Sequence, residues 1–85
     1  MISRLSEKEQ DGLINILNEL EAAERKHPQW PKDTIHAAAI VAEESGELIR
    51  ASLMSKYENG NTRKLETEAI QTGAMALRFL SNLKR

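Results

Sequence analysis

The sequence predicts an all-α fold, an antiparallel helical bundle of three main helices completed by oligomerisation. Three observations carry that expectation: apolar residues recur at helical spacing in three segments, proline and Asn-Gly signals break the chain between them, and a capping box opens the first. At 85 residues the chain reads as one domain, residues 1–85, with no repeat, no low-complexity segment and no linker long enough to divide it. It holds no cysteine, which excludes disulfides and thiolate metal sites, so stability has to come from packing, from a partner subunit or from bound metal.

In the first segment Ser6-Glu7-Lys8-Glu9 forms the capping box, with Ser6 accepting from the Glu9 backbone and the Glu9 carboxylate reaching back to the Ser6 amide. Leu13, Ile16, Leu17 and Leu20 then make one apolar stripe on an otherwise charged helix, a packing helix that ends before Pro28. The connection His27-Pro28-Gln29-Trp30-Pro31-Lys32 brackets the one tryptophan with prolines. Trp30 is expected to plug one end of the bundle, with stacking on a ligand as the second possibility.

Asp33 is the better cap for the second helix, expected from about Thr34 to about Tyr57. Its apolar residues lie on more than one face: Ile35, Ala38, Ala42, Ile49 and Leu53 on one, Val41 and Leu48 on another, so protein should surround it on most sides. Asn59-Gly60 supplies a left-handed stop and Asn61 or Thr62 a new cap. The third helix, from about Arg63 to about Leu83, is apolar over a wide arc that includes Leu65, Ala69, Ala76 and Phe79 on one side and Ile70, Ala74, Leu77 and Leu80 on the other. Two such helices carry more apolar surface than a three-helix monomer covers, so a homodimer or homotetramer is expected. Gly46 and Gly73 sit inside predicted helices, where glycine costs about 1 kcal/mol relative to alanine, and close helix approach is the expected compensation.

Twelve basic and thirteen acidic residues give a net charge of -1, so no overall field favours a nucleic-acid polymer or an anionic membrane. The first residues contain no apolar signal core, and no uncharged stretch approaches the roughly 20 residues that cross a bilayer. A soluble, cytoplasmic protein is the default expectation.

The chemistry should lie in Glu43-Glu44-Ser45-Gly46-Glu47, an acidic cluster inside an alanine-rich apolar helix. Ionised groups taken from water cost several kcal/mol unless compensated, and close carboxylates repel one another, so a divalent cation is the simplest compensation. Glu44 and Glu47, three residues apart, rise from one helix face about 5 to 6 Å apart at their β-carbons. Glu68 and Gln71 repeat that separation on the third helix, which a tight turn makes antiparallel to the second. Oxygen donors without cysteine or paired histidine select Mg²⁺, or Mn²⁺, over zinc, and Mg²⁺ commonly shares carboxylates with substrate phosphates. A phosphorylated metabolite is thus the expected ligand. His36, roughly on the Glu44 stripe, and Arg78, beyond Gln71 on the third helix, are candidate substrate contacts beside Trp30; packing or capping for His36 and solvation of the helix end for Arg78 are the alternatives. A solvated face with intrahelical pairs such as Glu47 with Arg50 is the alternative for the whole cluster.

The pattern Glu43-Glu44-x-x-Glu47 followed after 20 residues by Glu68-x-x-Gln71 resembles the signature of the all-α nucleoside triphosphate pyrophosphohydrolases of the MazG type, Glu-Glu-x-x-Glu and then Glu-x-x-Asp. The resemblance covers roughly residues 30 to 80. It implies a MazG-like helical domain, self-associating, that cleaves a (d)NTP between the α and β phosphates with Mg²⁺, giving a monophosphate and pyrophosphate in nucleotide-pool housecleaning. By position it implies Glu44, Glu47 and Glu68 as metal ligands with Gln71 in the fourth place, and Glu43 either joining them or positioning the attacking water, which makes Glu43 and Glu44 the catalytic candidates. Gln71 departs from the family's aspartate: an amide oxygen ligates Mg²⁺ without bringing charge. That departure motivates the alternative of a catalytically weakened nucleotide-binding module, and a structural helical oligomerisation module is the third reading.

Overall fold

The computed structural model describes residues 4–58 and 62–84, and within them the chain forms three helices and no strand: α1 (Glu7–Lys26), α2 (Thr34–Tyr57) and α3 (Thr62–Ser81). None is long and apolar enough to cross a membrane. The capping box at the head of α1 is complete, with Glu9 N–H donating to Ser6 Oγ at 3.1 Å and Ser6 N–H to Glu9 Oε1 at 2.8 Å. At the head of α2 the Asp33 carboxylate accepts from His36 N–H at 3.1 Å. Asn59, Gly60 and Asn61, the expected stop and cap between α2 and α3, lie outside the described residues. The third helix stops two residues short of Leu83: the Arg78 carbonyl still accepts from Asn82 N–H at 3.1 Å, but Leu83 N–H turns back to the Leu80 carbonyl at 3.3 Å instead of continuing the α-helical ladder.

α3 is the middle element. Both α1 and α2 pack along it, while α1 and α2 scarcely meet. The arrangement is more open than a compact bundle, and the buried interior is correspondingly thin. Ala37, Ala51 and Ala74 are the fully buried apolar residues among those described, joined by two charged ones, Glu68 and Arg78. The expectation that protein surrounds α2 on most sides is therefore corrected for the single chain. Its outward face, with Ile35, Ala38, Ala42, Ile49 and Leu53, is exposed.

The two helical glycines part company. A β-carbon at Gly73 would come within 2.8 Å of Ile16 Cδ1 and 3.1 Å of Ile16 Cγ1, so the missing side chain is what lets α1 approach α3. A β-carbon at Gly46 meets nothing within 4 Å among the described residues, so the close approach expected there is not made by them. Replacing Gly73 with alanine gains about 1 kcal/mol of helix propensity and loses roughly 1 to 3 kcal/mol to overpacking. The net expectation is a loss near 1 kcal/mol in urea unfolding, partly recovered by adding Ile16→Val, which removes the nearest atom.

Candidate divalent-metal site

The antiparallel α2–α3 contact brings Glu44, Glu47 and Glu68 together, each offering a carboxylate oxygen within 4.8 Å of the others'. The three run from interior to surface. Glu68 is 2% exposed, Glu44 half-buried and Glu47 exposed. Lys64, one turn earlier on α3, holds Glu68 Oε1 at 3.1 Å with its own side chain mostly in water. Glu68 Oε2 and Glu44 Oε2 are both buried and have no hydrogen-bond partner among the described residues. Buried carboxylate oxygens without donors are expensive to keep, and a cation is one group that would satisfy them. The donors are all hard oxygens, which suits Mg²⁺ or Mn²⁺.

Glu44 carries the electrostatic strain of this arrangement. Its pKa is raised, first by burial and then by the negative charges of Glu47, Glu68, Glu43 and Glu19. A carboxyl whose folded pKa lies above its unfolded value binds more protons when folded, so stability falls as pH rises through that interval. The chain stripped of divalent cations is therefore expected to lose stability as pH rises from the ordinary carboxylate range through the raised pKa of Glu44. Glu44→Gln should flatten that slope and stabilise the metal-free chain at neutral pH, measured by urea unfolding in a chelating buffer.

Two recesses flank the carboxylates. One, of about 280 Å³, lies between α2 and α3 and is lined by Glu47, Arg50, Met54, Lys64 and Glu68. The other, an open cleft of about 450 Å³, lies where α1 and α2 fail to meet, with Glu44 and Gln71 on one side and Glu19, Ala22, Lys26 and His27 on the other. Gln71 thus sits beside Glu44 on the cleft wall, half-buried.

The other expected site residues lie elsewhere. Glu43 is exposed and is not in the three-carboxylate group, because one residue along a helix rotates a side chain by about 100°. His36 is exposed in the first turn of α2, and its separation of eight residues from Glu44 places it about 12 Å away along the axis and some 80° round it. Trp30 is half-buried against the Arg78 guanidinium, 4.9 Å from the ring centroid, and lines a different recess with Phe79 and Leu83. Arg78 is corrected most clearly. It is 4% exposed, and its Nη2 donates to the His27 carbonyl at 2.6 Å and to the Gln29 carbonyl at 3.4 Å. It pins the α1–α2 connection to α3, which neither phosphate binding nor solvation of the helix end describes.

Of the basic residues that flank the carboxylates, sequence reasoning named Arg50 only as an intrahelical partner of Glu47 and missed Lys64, and it missed Glu19. For Glu19 a signal existed. It lies three residues after Ile16 and four before Ala23, on the side that α1 turns towards α3, which repeats in weaker form the anomaly of Glu44. Comparison of the chain with family models, with curated proteins and with solved structures finds no match.

Proposed function

We propose that the chain is a Mg²⁺-dependent nucleoside triphosphate pyrophosphohydrolase that converts a (d)NTP into a monophosphate and pyrophosphate. The observation that carries this reading is the trio Glu44, Glu47 and Glu68, with carboxylate oxygens within 4.8 Å of one another and two buried oxygens lacking donors among the described residues. The match of Glu43-Glu44-x-x-Glu47 and Glu68-x-x-Gln71 to the MazG-type signature supports the reaction class. Glu44, Glu47 and Glu68 would hold the cation, which when bound neutralises the polyphosphate and polarises the phosphorus under attack.

The chain's own groups divide the remaining work. Arg50 and Lys64 supply positive charge in the recess beside Glu47 and Glu68, where a departing pyrophosphate needs it. The cleft between α1 and α2, floored by Met75 and walled by Ala22 and Ala23, is roomy enough to hold a nucleoside. A water oxygen attacks the α-phosphorus, the bond from that phosphorus to the α–β bridging oxygen breaks, and the water's proton passes to a cluster carboxylate. Glu44, whose side chain belongs to the carboxylate cluster and also lines the cleft, is the acceptor we assign.

A panel of triphosphates incubated with Mg²⁺, with products identified by phosphorus NMR, tests the reading. Monophosphate and pyrophosphate are expected from at least one of them, with loss of turnover in Glu44→Gln; diphosphate and orthophosphate would place the cleavage at another bond. The weakened-module reading keeps one observation in its favour, the neutral amide of Gln71 beside Glu44. A large gain of turnover in Gln71→Asp would favour it, whereas an unchanged or lower rate assigns the amide to a working site.

A further inference from the structure

Lys64 sits where helix chemistry disfavours it. It is the third residue of α3, in the turn where the helix dipole repels a cation, and it precedes Glu68 by four residues, the weaker order for a helical ion pair. Helix stability therefore does not account for a lysine at this position. Its ammonium nonetheless lies 3.1 Å from Glu68 Oε1, and the pair joins unlike surroundings: the Glu68 side chain is 3% exposed and that of Lys64 65%. The carboxylate is fixed in the interior, while the lysine stem stands largely in water, where it turns freely about its single bonds.

The pair also spans the two parts of the candidate site. Glu68 belongs to the carboxylate trio, and Lys64 lines the recess of about 280 Å³ beside it, together with Glu47, Arg50 and Met54. Glu68 Oε1 is thus held by a positive charge built into the chain, while the buried Oε2 has no partner among the described residues. A divalent cation at the trio and the Lys64 ammonium compete for this one carboxylate and repel each other. A polyphosphate in the recess offers the ammonium another anion within the reach of its stem.

We propose that Lys64 is a tethered counter-ion that Mg²⁺ and a polyphosphate displace together: it weakens the binding of the bare cation and, on leaving Glu68, grips the phosphates, so that the chain takes its cation as the metal–polyphosphate complex. The inference rests on the reading of Glu44, Glu47 and Glu68 as a cation site and adds to it the order in which the ligands enter. The coupling runs both ways. Whatever factor the polyphosphate contributes to cation affinity by drawing Lys64 away, the cation contributes to polyphosphate affinity by releasing it. An isolated i, i+4 pair on a helix surface would affect neither.

Calorimetric titration at neutral pH with Mg²⁺ alone, and with pyrophosphate at saturating Mg²⁺, tests this in the parent, Lys64→Met and Lys64→Arg. Pyrophosphate is the probe because it requires no choice of base. Lys64→Met keeps an unbranched stem at an exposed position, so it should fold with unchanged helicity by circular dichroism. It is expected to bind Mg²⁺ alone about fivefold more tightly than the parent, and pyrophosphate in the presence of Mg²⁺ about tenfold more weakly. One substitution thus moves the two constants in opposite directions, and Lys64→Arg, which keeps the charge, should hold both near the parent's values. Mg²⁺ affinity in Lys64→Met equal to or below the parent's, or pyrophosphate affinity equal to or above it, would overturn the proposal and leave the trio standing as a cation site. A parent with no saturable Mg²⁺ heat would overturn both.

Discussion

Arg78→Ala is expected to lower stability by about 3 kcal/mol or more, because it removes a buried cation from the two carbonyls it serves and leaves both unsatisfied. The loss of the stack on Trp30 adds about 1 kcal/mol. Against a total of about 5 to 15 kcal/mol for a domain, this is a large share, and at about 4 to 8 °C per kcal/mol it moves the melting temperature by well over 10 °C. Arg78→Lys should recover only part of it, since an ammonium cannot lie flat on the indole while donating to the His27 and Gln29 carbonyls as the guanidinium does. A phosphate-binding arginine would behave oppositely. Its lysine variant would keep the melting temperature and raise KM, so thermal unfolding and KM measured on the same variant separate the two roles.

The second large effect is expected at Glu68. Glu68→Gln keeps the shape of the side chain and removes the most deeply buried charge of the cluster. Turnover should fall by about a thousandfold or more, some 4 kcal/mol of transition-state stabilisation. Stability without metal should change little or rise, because the lost partner, Lys64, is largely in water and such a pair is worth under about 1 kcal/mol. A variant that is as stable as the parent and inactive assigns Glu68 to the site, whereas one that unfolds would assign it to packing.

The sequence made the elements legible because local chemistry sets them. The Ser6 capping box, the Asp33 cap and the prolines at 28 and 31 fix where α1 ends and α2 begins without reference to anything distant. The carboxylates were legible for the same reason: Glu44 and Glu47 share a helix face by spacing alone, and the antiparallel return of α3 brings Glu68 to their height. Arg78 was not legible. Its partners are backbone carbonyls some fifty residues away, and a carbonyl leaves no mark in a sequence. Glu43 and His36 stand outside the three-carboxylate group through helical rotation, since adjacency in sequence, or a spacing of eight, does not preserve a face. The openness of the bundle also escaped, because an apolar stripe on α2 states that something covers it and does not state whether that cover belongs to the same chain.

The central claim is that Glu44, Glu47 and Glu68 bind a divalent cation, and calorimetric titration of the chain with Mg²⁺ and Mn²⁺ tests it most directly. Saturable binding is expected in the parent, absent in Glu44→Gln combined with Glu47→Gln, and accompanied by a stability gain of about 2.7 kcal/mol at a hundredfold excess over Kd. Equal heats in the parent and the double variant, or no saturable heat in either, would contradict it.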